Sequence, residues 1–294
     1  MKKFELTAEY TTTVLGIKLF RIKALIEFRN VKEGELGGFV EKEENLNQED
    51  GSWVYDGSWV YGNSVVDNDS VVDDGSRVDN SRVDNNSKVT NNSRVINSVV
   101  DNNSVVTNNS RVDNSRVDNN SVVTNNSVVI NGRVSNNSMV DDGSMVINSV
   151  VDDGSTVING RVSNNSMVDD GSRVINSVVD DGSRVTNSRV DNSAVGNNSV
   201  VTNNSAVNNS RVTNGYIQHT KDCATVGCFG SEYRTTTFFR TKDKNIGVEC
   251  GCFYGTLAEF REKVRKTHGE TKVAKEYLMV ADLMEFRFSE EVSK

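Results

Sequence analysis

From Val54 to Ile217 one apolar side chain recurs every five or six residues, and Ser, Asn, Asp and Gly fill most of the intervals. The unit is Ser-x-Val-x-Asn/Asp-Asn/Gly, as in Ser87-Lys88-Val89-Thr90-Asn91-Asn92, and the aligned apolar position gives 30 units. Self-similarity at a short fixed period predicts a solenoid. The spacings begin as six (Val54, Val60, Val66, Val72, Val78), then run five, six, six four times over to Val146, a period of 17. One short spacing in every three units means that three units make one turn. Stacked coils then place the short corner on one edge: Val78 to Val83, Val95 to Val100, Val112 to Val117, Val129 to Val134. Beyond Val151 the short spacing moves to a neighbouring edge, at Val157 to Val162 and Val174 to Val179, without a reason visible in the sequence.

Each position of the unit has a physical requirement. Val points inward, where a β-branched side chain suits a strand and fills a narrow interior. Ser, two residues earlier, stands near a corner where a larger side chain would meet the stacked coil. Asn, Asp and Gly tolerate the left-handed backbone of tight corners. Pro, which would remove a ladder hydrogen bond, is absent. Thirty units at three per turn predict ten coils, and a prism about 48 Å long at the usual strand spacing.

The repeat resembles the hexapeptide-repeat, left-handed parallel β-helix proteins, whose loose motif is an aliphatic residue followed four places later by a small one. Val-x-Asn-Asn-Ser fits it, and the five-residue units depart from it. The resemblance covers Ser52 to Ile217 and implies the fold; the same fold hosts acyltransferases, nucleotide-sugar enzymes and plain scaffolds. Ahead of it, Phe4 to Phe28 reads as strands with a turn at Leu15-Gly16-Ile17. The segment from Val31 to Leu46 resembles the N-terminal part of bacterial and phage hexapeptide-repeat proteins, some of which carry a transferase label. Val40 with Gly38 already matches the inward/small pairing, which starts an irregular first coil there.

Three segments follow: an N-terminal β cap with the irregular coil (1–50), the β-helix (51–217) and a small α+β module (218–294). In the last, Thr235 to Arg240 and Ile246 to Cys252 read as a hairpin. Thr256-Leu257-Ala258-Glu259 is a capping box opening a helix to about His268, stopped by Gly269, and a second helix is expected from Lys272 to Met284. The run Cys250-Gly251-Cys252-Phe253-Tyr254-Gly255-Thr256-Leu257 with Glu259-Phe260 resembles a small module appended to repeat proteins in phage genomes.

Charge is unevenly distributed. The repeat carries 12 Lys/Arg against 19 Asp, a net −7, the first fifty residues −2 and the last segment +1. On one face the residue after each inward Val is Asp67, Asp84, Asp101, Asp118, Ser135, then Asp152 and Asp169, with Arg82, Arg116, Arg133 and Arg184 beside them; Arg77, Arg94 and Arg111 line the next. Duplex DNA of the same length carries roughly 28 charges, so this column reads as solvated Arg–Asp ladders rather than a DNA mimic, and no nucleic-acid partner is expected. On the remaining face Val105 and Val122 with Thr90, Thr107 and Thr124 form an outward uncharged strip, extended by Met139, Ile158 and Ile175. Such strips mark partner surfaces. The array is too short, and lacks the regular Thr-x-Thr pairs, for ice binding. Trp53, Tyr55, Trp59 and Tyr61 ring the first coil, packed under the cap or offered to a partner.

Candidate chemistry is sparse. Hexapeptide-repeat acyltransferases carry a catalytic His, and the weak candidate here is His219, at the last coil; His268 lies at a helix end. The zinc carbonic anhydrase form of the fold needs three His ligands, and the chain has two. Cys223, Cys228, Cys250 and Cys252 form pairs spaced x4 and x1; the second lies outside the usual two-to-four residue separation of zinc sites, and all four read as free thiols. The start, Met1-Lys2-Lys3-Phe4-Glu5, leads into no apolar signal core, and no stretch approaches eighteen apolar residues, so a cytoplasmic location (host cytoplasm for a phage product) without membrane contact is expected. The expectation for function is a non-enzymatic scaffold or binding protein without cofactor, facing a protein partner or itself as a homotrimer. A CoA-dependent acyltransferase is the alternative.

Overall fold

A computed structural model describes residues 1–289 and divides the chain into two compact units, Met1–Asn159 and Gly160–Lys294. In both, short strands stack into three parallel sheets, and the repeat amounts to about eleven turns. In the first unit one sheet runs from Trp53–Val54 through Lys88–Val89 and Val122–Val123 to Thr156–Ile158. A second runs from Leu36–Val40 through Trp59–Tyr61 and Arg94–Ile96 to Met145–Ile147. A third runs from Val65–Val66 through Arg82–Val83 to Val150–Val151. Val72, Val89, Val106 and Val123 are each partnered with their neighbour 17 residues on, as the spacing requires. All thirty inward residues, Val54 to Ile217, are fully buried.

The corners explain the interchange of fives and sixes. From Val66 onward a six-residue corner contains two left-handed residues, as at Asn85 and Asn86 (φ 51° and 61°). A five-residue corner contains one, as at Asn97 (φ 48°), and there the Ser98 hydroxyl donates to the carbonyl of Ile96 at 2.6 Å. The second unit repeats that turn at Asn176-Ser177, Asn192-Ser193 and Asn209-Ser210, with Ser Oγ to carbonyl distances of 2.6–2.7 Å. The turn is local and makes no use of which edge it occupies. The same turn therefore serves the short corner on either edge, before and after Val151.

Serine does more than stay small. Its hydroxyl accepts the backbone N–H of the residue one coil later: Ser81 donates to Ser64 (3.1 Å), Ser98 to Ser81 (3.0 Å), Ser115 to Ser98 (2.9 Å) and Gly132 to Ser115 (3.0 Å). Alanine would fit the space and strand those donors. Asn side chains form parallel ladders outside, Asn91 to Asn108 to Asn125 (2.9 Å each) and Asn102 to Asn119 to Asn136 (3.0 and 2.8 Å). Asn thus supplies both the left-handed backbone and the stacking contact.

Three devices close the sheet edges where the repeat begins. Phe4–Thr12 and Lys18–Ala24 pair antiparallel, the latter with Leu36–Val40, which joins Trp59–Tyr61 in parallel with Val40 opposite Val60. Val40 is fully buried, as are the inward valines of the repeat. A Cβ on Gly38 would lie 2.5 Å from the carbonyls of Tyr55 and Ser58, which excludes any other residue. The buried Asn45 amide donates to the carbonyls of Gly62 and Ser64 (3.2 and 2.8 Å), and Leu46 bridges to Val66. Lys3 Nζ donates to the carbonyls of Asp50 and Ser52 (3.0 and 2.8 Å); burial holds its pKa below the usual lysine range, although Asp50 opposes the shift.

In the second unit the last coil carries a four-stranded antiparallel sheet, Cys223–Phe229, Arg234–Arg240, Ile246–Cys250 and Phe253–Thr256. Helix α1 (Leu257–His268) and helix α2 (Lys272–Phe288) follow. The capping box is present, and Gly269 ends α1; α2 runs four residues beyond the expected Met284. The two outer strands lie outside the predicted hairpin. Fully buried Phe239 and Thr237 face the last coil, where Thr237 Oγ1 accepts from the Arg211 N–H (3.1 Å). Glu249 pairs with Arg211 at 2.7 Å and accepts from the Thr213 hydroxyl at 3.0 Å.

Candidate functional surfaces

In the first unit, Val71, Lys88, Val105, Val122, Met139 and Thr156 form one outward column of the first sheet in unbroken register. Thr90, Thr107 and Thr124 form the column beside it. Val105, Val122 and the three threonines are half-buried in these columns, while Met139 is 38% exposed. The strip is shorter than a run of uncharged residues would make it. Lys88 stands directly beside Val105, and Asp73 and Asp141 close the threonine column at either end. The Thr107 and Thr124 hydroxyls accept from the Asn91 and Asn108 amides (3.1 and 3.2 Å), and Thr90 donates to Asp74 (3.1 Å). The corner ladder thus holds the threonines in place.

Below Val71 the column reaches Trp53, which is not a surface residue. Phe4 and Phe28 pack edge-on against its ring, with centroids 6.3 and 5.4 Å away, and it is fully buried. Trp59 belongs to the second sheet and is half-buried under the Arg77 guanidinium, 4.3 Å from the ring centroid. Arg29-Asn30 is the tip of a two-residue turn closed by Phe28 and Val31 (3.0 and 2.9 Å), with Arg29 at φ 47°. It overhangs an open concavity of about 930 Å³ that reaches Tyr55, Asp73, Lys88 and Thr90. Burial raises the Asp73 carboxyl above its usual range, and burial with nearby Asp73 raises the Tyr55 phenol.

The third sheet carries the Asp column. Arg82 pairs with Asp84, and Arg116 with Asp118 and, at 3.8 Å, with Asp101; Asp84 and Asp118 are buried beneath these guanidinium groups. Three acidic positions of the column, Asp84, Asp101 and Asp118, thus pair with arginines, while Asp67 and Asp152 accept from the Asn47 amide and the Ser135 hydroxyl.

The second unit presents a surface that the sequence reading missed. On α2, Met279, Leu283 and Phe286 are 71%, 56% and 79% exposed, at i, i+4 and i+7 on one stripe. The opposite side of the helix, with Ala274, Tyr277, Ala281, Met284 and Phe288, fills the module core. A helix apolar on both sides was the available signal.

The candidate chemical residues are dispersed. His219 is exposed at the start of the module, and Asp222 directs its carboxylate to the main-chain N–H groups of Gln218 and His219 (3.0 and 2.8 Å). Cys223 is buried against Ser210, and burial pushes its thiol up to about 11. Cys228 is exposed. Cys250 accepts from the Thr236 hydroxyl at 3.0 Å, and exposed Cys252 follows in the turn. Cys250 and Cys252 line a cavity of about 410 Å³ with Phe253, Phe260 and His268, whose ring stacks on Tyr277 at 5.6 Å. Among the described residues, no cluster of three potential metal ligands includes a cysteine or a histidine. Among them also, no helix is long and apolar enough to cross a membrane. No protein-family model and no curated protein matches the chain.

Proposed function

We propose that the chain is a non-enzymatic β-helical scaffold or binding protein of the hexapeptide-repeat, phage or prophage kind, acting in the cytoplasm on a protein partner or on a second copy of itself. The observation that carries this reading is the exposed apolar stripe Met279, Leu283 and Phe286, on a helix whose other side already fills a core. Leaving a Phe in water forgoes roughly 1.5–3 kcal/mol of burial, a loss a partner would recover. The Val105–Val122–Met139 strip is the second support. It is too small to be a whole interface of about 800 Å² per partner, but it suits the apolar centre of one rimmed by the corner Asn and Asp residues.

Two double variants test the reading: Leu283→Glu with Phe286→Glu, and Val105→Asp with Val122→Asp. Sedimentation of each at matched concentration, with co-purification from the host cell, should show at least one losing an assembly that the parent chain forms. A monomeric parent whose co-purifying proteins survive both variants overturns the proposal. So does turnover of acetyl-CoA by the purified chain that disappears in His219→Ala, which would establish the acyltransferase instead.

A further inference from the structure

Residues 216–222, the turn after Arg240 and the end of α2 surround a cavity of about 320 Å³ within the second unit. This volume is at the small end of the range for small-molecule sites, roughly 300–1,000 Å³. Among the described residues its lining includes five cationic side chains, Lys221, Arg240, Lys242, Lys244 and Arg287, and one carboxylate, Asp222. Asp222 offsets one of the five, and its carboxylate accepts from the Gln218 and His219 main-chain N–H groups.

Four of these cations divide into two roles. Arg240 donates to the carbonyls of Lys244 (2.8 Å) and Phe288, and its guanidinium lies 5.3 Å from the Phe288 ring centroid, so it fixes the wall. Lys221, Lys242 and Arg287 are exposed and, among the described residues, have no carboxylate partner. Three like charges around one concavity repel one another, and an anion placed among them relieves that repulsion. Tyr216 and Phe288 add aromatic surface to the same lining, and His219 an imidazole.

We propose that this cavity binds a phosphate-bearing small molecule, its phosphate held by Lys221, Lys242 and Arg287 and its organic part lying against Tyr216 and Phe288. Phosphate rather than a single carboxylate suits the set, because three separate donors match three phosphate oxygens. The site is independent of the apolar surfaces above and needs no chemistry on the ligand.

Isothermal titration of the full chain with AMP, inorganic phosphate and adenosine at low salt tests it. AMP should bind saturably, phosphate should compete, and adenosine should bind at least tenfold more weakly. Lys242→Gln with Arg287→Gln, both exposed, should weaken AMP at least tenfold while melting temperature and circular dichroism stay at parent values. No saturable heat from AMP or phosphate, equal binding of adenosine, or undiminished binding in the double variant overturns the proposal. Glu290 and Glu291 follow Ser289 in sequence, so the titration is repeated on Glu290→Gln with Glu291→Gln. Binding that appears only in that variant also overturns it.

Discussion

Replacing Ser98 by Ala and, separately, Ser127 by Ala isolates the hydrogen-bonding role of the corner serine from its size. Both are buried, at the same position of the unit. Ser98 Oγ donates to Ile96 at 2.6 Å and accepts from the Ser115 N–H at 2.9 Å, whereas Ser127 Oγ is buried without a partner. Ser98→Ala strands the Ser115 N–H, at about 1–3 kcal/mol, and loses the donated bond, a net of about 0.5–1.5 kcal/mol, so about 1.5–4.5 kcal/mol in all. The Ile96 carbonyl keeps its second donor, Asn114, at 3.0 Å, so no further penalty arises there. Ser127→Ala removes an unpaired buried hydroxyl and should be neutral or slightly stabilising. Long repeat arrays depart from two-state unfolding, so urea titration is paired with native-state hydrogen exchange over residues 96–117. Ser98→Ala should lower the midpoint and speed exchange of the Ser115 amide, and Ser127→Ala should do neither. Equal losses from the two variants would refute the serine ladder and return the residue to a matter of volume.

Deleting Ile96 to Val112 removes one whole coil and rejoins Val95, already the partner of Val112, to Asp113; this protein should fold with a modest drop in melting temperature, and deletion of the six residues Thr90 to Val95 should be the more damaging. A six-residue deletion that melts higher than the 17-residue one would sink the three-sided count. Val106→Asp places an unpaired carboxylate among fully buried valines and should cost several kcal/mol, while Val105→Asp, one residue earlier and half-buried, should leave circular dichroism unchanged; equal losses would mean the register is wrong. Iodoacetamide at pH 8 should label the exposed Cys228 and Cys252 in the folded chain and reach Cys223 only after denaturation, because a thiol raised to about 11 holds almost no thiolate there. Mass spectrometry finding Cys223 labelled as fast as Cys228 would contradict its burial.

The interior was legible because a parallel stack imposes one rule on every coil. Each Val that the spacing turned inward is buried, and the 17-residue period gave the three sheets directly. What the spacing could not convey is anything set by distant residues or by direction of hydrogen bonding. Trp53 occupies an outward register position and is buried only because Phe4 and Phe28, far back in the chain, cover it. The serine ladder was hidden because small size and hydroxyl function are the same letter in the sequence. Lys88 was visible, but its place beside Val105 depends on the 17-residue register being applied to charges as well as to valines. His219, Arg240 and Arg287 meet around one cavity through the fold of the module, and no spacing links them.

Lys3, Val40 and Leu46 close the starting edges of the three sheets, and all precede the first regular coil in the sequence. A finished foundation therefore precedes the first coil during synthesis. Each later coil pairs with the edge directly before it, through contacts between residues 16 to 18 apart in sequence. That keeps loop closure short for an all-β architecture. It also confines the unpaired strand edge to the newest coil, so neighbouring nascent chains on one messenger meet little open sheet to join.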